Sequence, residues 1–308
     1  MKLRILALLV LISALAPAPA HAWDELGHRV IARIAWNQMT PAARARAVEL
    51  LRSAPPHSDI SALRPRSDPS GTQAREWFGM ASVWPDLIRD RNHPGFVYGH
   101  GDWHYVNLFW ESGRFRARDR PDIPRAGQLT GQLRRISASL TDPSVPDSAK
   151  AVDLAWALHL VGDVHQPLHN SARITEEEPE GDRGGNLFRL AGFYPDNNLH
   201  AYWDALVSRA FPWRPGMRSD DDYVGAIAAQ IEDDYPPSRF RKGLLEHDFD
   251  GWASEGVRIA QEAVYPRWLR RDERASRRYG ARAWGAAEPR VALAGYRLAE
   301  LLNRTLGS

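Results

Sequence analysis

Cysteine is absent from the 308 residues, which excludes disulfides, thiolate-bound zinc, iron–sulfur clusters and thiol nucleophiles together. Any metal must then be held by His, Asp, Glu or backbone groups. Lysine is nearly absent as well: Lys2, Lys150 and Lys242 are the only three, so 37 of the 40 basic residues are arginine. There is no lysine-rich tail or patch, and against 38 acidic residues the formal charge is only +2. A protein that holds phosphates by blanket neutralisation is far more basic than this, so phosphate binding would need a local device. The apolar run Ile5–Ile12 falls well short of the roughly 20 residues that a membrane-spanning helix requires. With 44% hydrophobic and 25% charged residues, the composition is that of a soluble globular protein rather than a disordered one.

The apolar run belongs to a targeting segment. Lys2 and Arg4 precede it, a Pro/Ala stretch follows, and Ala20-His21-Ala22 has the small-x-small form read by signal peptidase. The expectation is that residues 1–22 are cleaved and that 23–308 form one domain beginning at Trp23. That domain would be exported to the periplasm or the medium and carry no membrane anchor. Loss of Lys2 and Arg4 leaves 38 basic residues against 38 acidic ones.

Hydrophobic periodicity along the mature chain predicts an all-α fold, a single mainly helical domain with long loops. His28, Ile31 and Ala35 lie on one helix face, and Thr40-Pro41 is an N-cap with proline at the first position of a second helix through Leu51. Residues 53–72 are expected to be a loop, with a helix restarting around Trp84–Arg89. Trp103–Leu108 alternates as a short extended segment. Further helices are expected over 125–140, 148–166, 199–209, 221–232, 252–264 and 289–304, and 171–197 as an acidic, glycine-containing loop.

Chemistry concentrates in dispersed His and Asp. On a helix, Val152, Ala155, Trp156, His159 and Asp163 follow the i, i+3, i+4, i+7, i+11 rule, so a histidine and a carboxylate extend an apolar stripe. Such a pair in a core needs a strong compensating partner, although a plain salt-bridged pair satisfies the pattern too. Pro167 should end this helix and return His169 toward the same face. His200 and Asp204 repeat the i, i+4 spacing. His28, Asp86 and His104 each have a structural explanation when taken singly, and Trp23 alone reads as a hydrophobic plug. His165 points away from the His159 face and reads as a surface or supporting residue. His57, His93, His100 and His247 sit in polar loop contexts.

Taken in order, these segments resemble a known family. Trp23 with His28, Asp86 in Trp-Pro-Asp-Leu-Ile-Arg, His104 in Trp-His-Tyr-Val-Asn, and His159, Asp163 and His169 in His-Leu-Val-Gly-Asp-Val-His-Gln-Pro-Leu-His are followed by Gly184-Gly185-Asn186. His200 and Asp204 in Asn-Leu-His-Ala-Tyr-Trp-Asp complete the set. Together they are similar to the zinc-dependent single-strand nucleases of fungi, plants and bacteria, the nuclease S-one/P-one type. The resemblance covers Trp23 to Asp204; beyond residue 210 only a general helical character matches.

It implies a trinuclear zinc cleft. Asp86, His104, His159 and Asp163 would hold one zinc, and His169, His200 and Asp204 a second. The α-amino nitrogen and carbonyl oxygen of Trp23, with His28 and a bridging Asp163, would hold the third. The implied activity is cleavage of O3′–P bonds in single-stranded DNA and RNA to leave 5′-phosphates, with removal of 3′-phosphates from mononucleotides. Asp86 would also orient the attacking water, and Arg89 would contact phosphate. Tyr105 would stack on an unpaired base, and Asn107 stands beside it where some members have a carboxylate. A monomer with no stable protein partner is expected. The rival reading is a zinc-dependent phospholipase C, which shares the fold and the ligand scheme; Asp204, where those enzymes usually have Glu, favours the nuclease.

Overall fold

The computed structural model describes residues 23–67, 71–111, 118–192, 197–213, 220–240 and 248–307. Residues 1–22, expected to be a targeting segment, and His247 lie outside the described residues, as does 193–196 of the long loop. The helices are α1 (Glu25–Gln38), α2 (Pro41–Arg52), α3 (Gln73–Ala81), α4 (Trp84–Leu87), α5 (Leu129–Thr141), α6 (Asp147–Asp163), α7 (Leu199–Asp204), α8 (Leu206–Ala210), α9 (Asp220–Asp234), α10 (Phe249–Ile259) and α11 (Arg277–Leu306). No helix among the described residues is long and apolar enough to cross a membrane.

The mainly helical expectation holds, with local differences that have physical causes. Thr40 caps α2 as expected, its hydroxyl accepting from the Ala43 amide. The stretch 53–72 contains two single 3₁₀ turns, Pro56–Ser58 and Ile60–Leu63. Helix α3 arises without a side-chain cap; it forms because Trp77, Phe78 and Ala81 enter the core. The last helix begins at Arg277, twelve residues ahead of the expected Pro289, which sits inside it. Proline removes one backbone donor and strains a helix interior; here buried Tyr279, Ala283 and Ala287 anchor the turns before it.

Helix α6 is buried on every face from Asp153 to Asp163, so the stripe through His159 and Asp163 is one side of a central element. Around it pack α2, α4 and α5, and α1 lies along α11. The α1–α11 approach is close enough that a Cβ on Gly295 would meet Ile34 Cγ2 at 2.4 Å, so only glycine fits there.

A small sheet accompanies the helices: β1 (Leu108–Glu111), β2 (Arg118–Asp119) and β3 (Ser171–Ile174), in the order β2-β1-β3. β1 runs antiparallel to β2 and parallel to β3, pairing Leu108 with Ser171 through Glu111 with Ile174. The extended segment thus begins at Leu108, at the end of the stretch expected, and the acidic loop opens with a strand. The ladder continues upstream as Val106 N–H to His169 O (2.8 Å) and Leu108 N–H to Asn170 O (2.9 Å). Through it the segment carrying His104 is stitched to the turn carrying His169.

Candidate metal centre

The expected histidines and aspartates come from five separate segments and converge at one end of α6. His159 and Asp163 occupy successive turns of that helix, with His159 Nε2 and Asp163 Oδ2 3.3 Å apart. His104 Nδ1 approaches the same carboxylate oxygen at 3.2 Å and His159 Nε2 at 3.0 Å. Asp86, on the single turn α4, brings Oδ1 to 3.8 Å from His159 and 3.9 Å from His104. On the other side His28 from α1 stacks on His159, with ring centroids 4.0 Å apart, and sets Nε2 3.4 Å from Asp163 Oδ1. The two oxygens of Asp163 therefore face different neighbours, His28 with one and His104 and His159 with the other. His169 Nε2 and His200 Nε2 lie 3.8 and 3.5 Å from the Asp204 carboxylate. Three groups could each hold a metal ion: His28/His159/Asp163, Asp86/His104/His159 and His169/His200/Asp204, the ligand atoms of each lying within 4.8 Å of one another.

The local fold explains how a core tolerates this concentration of polar groups. Ser82 O takes the Nδ1–H of His159 at 2.8 Å, His104 O that of His169 at 2.6 Å, and Gly184 O that of His200 at 2.7 Å. A carbonyl can only accept, so each ring carries a proton on Nδ1 and, when neutral, turns a bare Nε2 lone pair into the centre; for His159 burial opposes a second proton, but Asp163 and Asp86 outweigh burial and raise its pKa. Gly162 makes room for the stacked His28: a Cβ there would sit 2.8 Å from His28 Nδ1. Gln166, fully buried, donates to Asp204 Oδ1 at 2.6 Å and accepts the Leu168 amide at 2.6 Å.

Burial lowers the pKa of His104 and His169 and brings His28 to about 4 and His200 to about 3, so these rings are neutral at neutral pH, the form in which a histidine can ligate metal. Burial also opposes ionisation of Asp163, but His159 and the hydrogen bonds around it outweigh burial and hold its carboxyl well below the usual range. Asp204 goes the other way: burial, with the charges of Asp86 and Asp163, pushes it well up despite the Gln166 hydrogen bond.

Metal fits this centre on the structure's own terms. His28 Nε2, His169 Nε2, His200 Nε2, Asp163 Oδ1 and Asp204 Oδ2 are all buried and make no hydrogen bond. Orphaned buried polar atoms are costly and rare, and here they gather where three ligand groups meet. Nitrogen and oxygen donors with no sulfur suit zinc at an open coordination site.

Trp23 is fully buried. Its indole donates to Gly162 O at 3.0 Å, and the next amide, Asp24 N–H, donates to Asp204 O at 3.0 Å. The segment that begins at Trp23 is thereby clamped between the α6 end that carries Asp163 and the helix end that carries Asp204. Beside the centre lies a cleft of about 390 Å³ lined by Arg89, Tyr105, Asn107, His169, Arg183 and Asn186, among others. Arg89 lies just past the end of α4 and pairs with Asp86 at 3.4 Å. Tyr105 and Asn107 are half-buried and open onto the cleft.

His165 does face away from the centre, but it is not at the surface. It is fully buried, its Nδ1–H donating to Val161 O at 2.7 Å and its Nε2 accepting from Arg297 at 2.9 Å. His57 and His93 serve their loops, meeting Tyr98 Oη at 2.7 Å and the Gly95 amide at 3.0 Å; His100 stacks on Trp103. Sequence reasoning missed Gln166, Arg183 and the three supporting carbonyls. Gln166, wedged between expected ligands, could have been found from its spacing, whereas carbonyls leave no sequence signal.

Comparison with known proteins agrees with this geometry. The family model of the S1/P1 nucleases matches residues 23–307. Endonuclease 2 of Arabidopsis thaliana is 24% identical, with 99% of this chain and 98% of the relative covered. Endonuclease 1 of the same plant is 24% identical over 97% and 91%, and Nuclease P1 of Penicillium citrinum 20% over 93% and 98%. The chain belongs to the S1/P1 nuclease family and is a phosphodiester-hydrolysing enzyme acting on nucleic acid.

Proposed function

We propose that the protein is an exported, monomeric zinc enzyme that cleaves O3′–P bonds of single-stranded DNA and RNA to leave 5′-phosphates and removes 3′-phosphates from mononucleotides. The observation that carries this reading is the convergence of orphaned buried nitrogen and oxygen atoms of His28, Asp163, His169, His200 and Asp204 beside a cleft lined by arginine and tyrosine.

Asp86, His104, His159 and Asp163 would hold one zinc and His169, His200 and Asp204 a second. The Trp23 α-amino and carbonyl groups with His28 and Asp163 would hold the third. Bound zinc would supply the positive charge that polarises the phosphate and makes the attacking water acidic at neutral pH. The side chains around it do the positioning. Arg89, kept at the centre by Asp86, presents a planar fork matched to two phosphate oxygens. The Asp86 carboxylate is placed to accept a proton from the attacking water and orient it. Tyr105 offers a ring face on which only an unpaired base can stack, and the Asn107 amide carries both a donor and an acceptor for a base edge. Because charge is concentrated at this site, a mature surface with equal numbers of acidic and basic residues is compatible with phosphate chemistry, and duplex binding should be weak.

Removal of residues 1–22 is part of the reading, because only cleavage after Ala22 frees the Trp23 amine. The family match beginning at residue 23 supports it. Incubation of the mature protein with single-stranded DNA, duplex DNA and phosphatidylcholine micelles tests the assignment. Rapid release of 5′-phosphorylated fragments from the single strand alone is expected. Preferential turnover of the micelle would replace the nuclease with a phospholipase C.

A further inference from the structure

The loop that supports His200 also carries an unused cation. Among the described residues only three that are not glycine have left-handed backbones: Asp59, Asp272 and Arg183. Aspartate tolerates that conformation through local hydrogen bonds, but a long side chain with a Cβ does not. Arg183, at φ 53°, is followed by Gly184 and Gly185 at φ 63° and 80°, so three consecutive residues are left-handed. Unfavourable backbone of this kind persists only where the surroundings over-determine it, and it concentrates at functional sites.

The surroundings do over-determine it. Asp182, fully buried, accepts from Tyr265 Oη at 2.5 Å and from the Arg173 amide at 2.9 Å. On the far side a Cβ on Gly184 would meet Leu168 O at 2.3 Å, and Gly184 O takes the His200 proton. Arg183 O itself accepts the Asn186 amide side chain at 2.8 Å. These anchors explain the backbone; they do not explain arginine. A glycine would satisfy every one of them without the Cβ conflict. The arginine side chain is exposed, lines the cleft with Arg89 and Tyr105, and makes no ion pair or side-chain hydrogen bond among the described residues. Arg89 is tied to Asp86 at the metal centre, so it serves the phosphate under attack. Arg183 is tied to no ligand side chain and stands exposed on the cleft lining.

We propose that Arg183 is a substrate-binding residue that grips the backbone phosphate next to the scissile one, favouring polynucleotides over mononucleotides. The proposal rests on the single-strand nuclease reading above. It gives the near-neutral chain a second local phosphate contact, placed where a flanking nucleotide leaves the cleft.

The test is steady-state cleavage of a single-stranded oligonucleotide and of a 3′-mononucleotide by the zinc-loaded parent, Arg183→Gly and Arg183→Lys, at several salt concentrations. Metal content and Tm are measured alongside. Arg183→Gly should keep its zinc and melt no lower than the parent, because glycine adopts this backbone freely. Its KM for the oligonucleotide should rise about tenfold with kcat within about twofold. The slope of log KM against log salt should fall by about 0.7, the value for one single-strand phosphate contact. The mononucleotide KM should not move, and Arg183→Lys should keep the salt slope. An Arg183→Gly enzyme with parental oligonucleotide KM and slope overturns the proposal, as does an equal rise in KM on the mononucleotide. A parent that does not cleave the oligonucleotide at all overturns the nuclease reading itself.

Discussion

His169 turns its Nδ1–H onto the backbone carbonyl of His104, 2.6 Å away, so a side chain of one candidate metal group is aimed by the backbone of a residue in another. The parallel ladder between Val106–Leu108 and His169–Asn170 holds the two segments in that register. The separate ligand groups are therefore one mechanical unit, with Asp163 facing two of them.

Metal content across ligand variants should reflect this coupling. Asp163→Asn should be the most damaging single change, losing more than one zinc per chain and at least about a hundredfold in activity, since it faces two groups. His200→Ala should lose about one. His165→Ala should lower Tm, because it removes the buried acceptor of Arg297, yet keep its zinc. Elemental analysis of the three proteins checks the order, and zinc loss in His165→Ala equal to that in Asp163→Asn would contradict it.

The α-amino group of Trp23 should matter independently of the side chains. A version beginning Met-Trp23 should fold, bind the other two zincs and show much lower activity. An amide nitrogen cannot replace an amine, because its lone pair is delocalised. Trimming a protease site to expose Trp23 should restore zinc and activity together. Equal zinc and activity before and after trimming would show that Trp23 is only the plug its burial makes it.

Much of the site was legible because ligand chemistry restricts residue type. His159 and Asp163 stood out as polar groups one turn apart on an apolar helix, and His200 and Asp204 repeated the spacing. What joins them was not legible. The ladder pairing Leu108 with Ser171 links positions far apart in sequence, and no local pattern announces such a contact. Pro289 has the form of a first-turn residue, whereas tertiary packing of Tyr279 and Ala283 carries α11 through it from Arg277. The i+6 spacing from His159 tells only that His165 faces away from the centre, leaving surface and supporting roles open; the buried Arg297 that occupies its Nε2 is 132 residues away.

Acid should weaken the fold through Glu255. Burial raises this carboxyl, but Arg297 and Arg290 outweigh burial and hold it below its ordinary value of 4.5. Arg297 binds both of its oxygens, at 2.7 and 2.8 Å. A carboxyl whose pKa is depressed by folding stabilises fully above its unfolded pKa and loses that contribution as pH falls through the folded value. Glu255→Gln should therefore melt about 3 °C below the parent at pH 7, from a loss of about 2 kcal/mol in a domain of this size. The gap should close as pH falls below 4.5 and through the depressed folded value. A gap that stays constant with pH, followed by calorimetry at fixed zinc, would remove the ion pair from the account.

Tyr105→Ala should raise KM for single-stranded DNA about tenfold, the loss expected for one stacked base, while zinc content stays parental. Unchanged kinetics on both oligonucleotides and mononucleotides would return Tyr105 to a packing role beside Gly127, where a Cβ would already meet its ring at 2.6 Å.

In the working enzyme the convergent His and Asp side chains are expected to hold metal. The zinc-to-chain ratio of active, purified protein beginning at Trp23, measured by elemental mass spectrometry, tests this most directly. A ratio close to three is expected, following the three candidate ligand groups. A metal-free protein that still cleaves single-stranded DNA at full rate would contradict it.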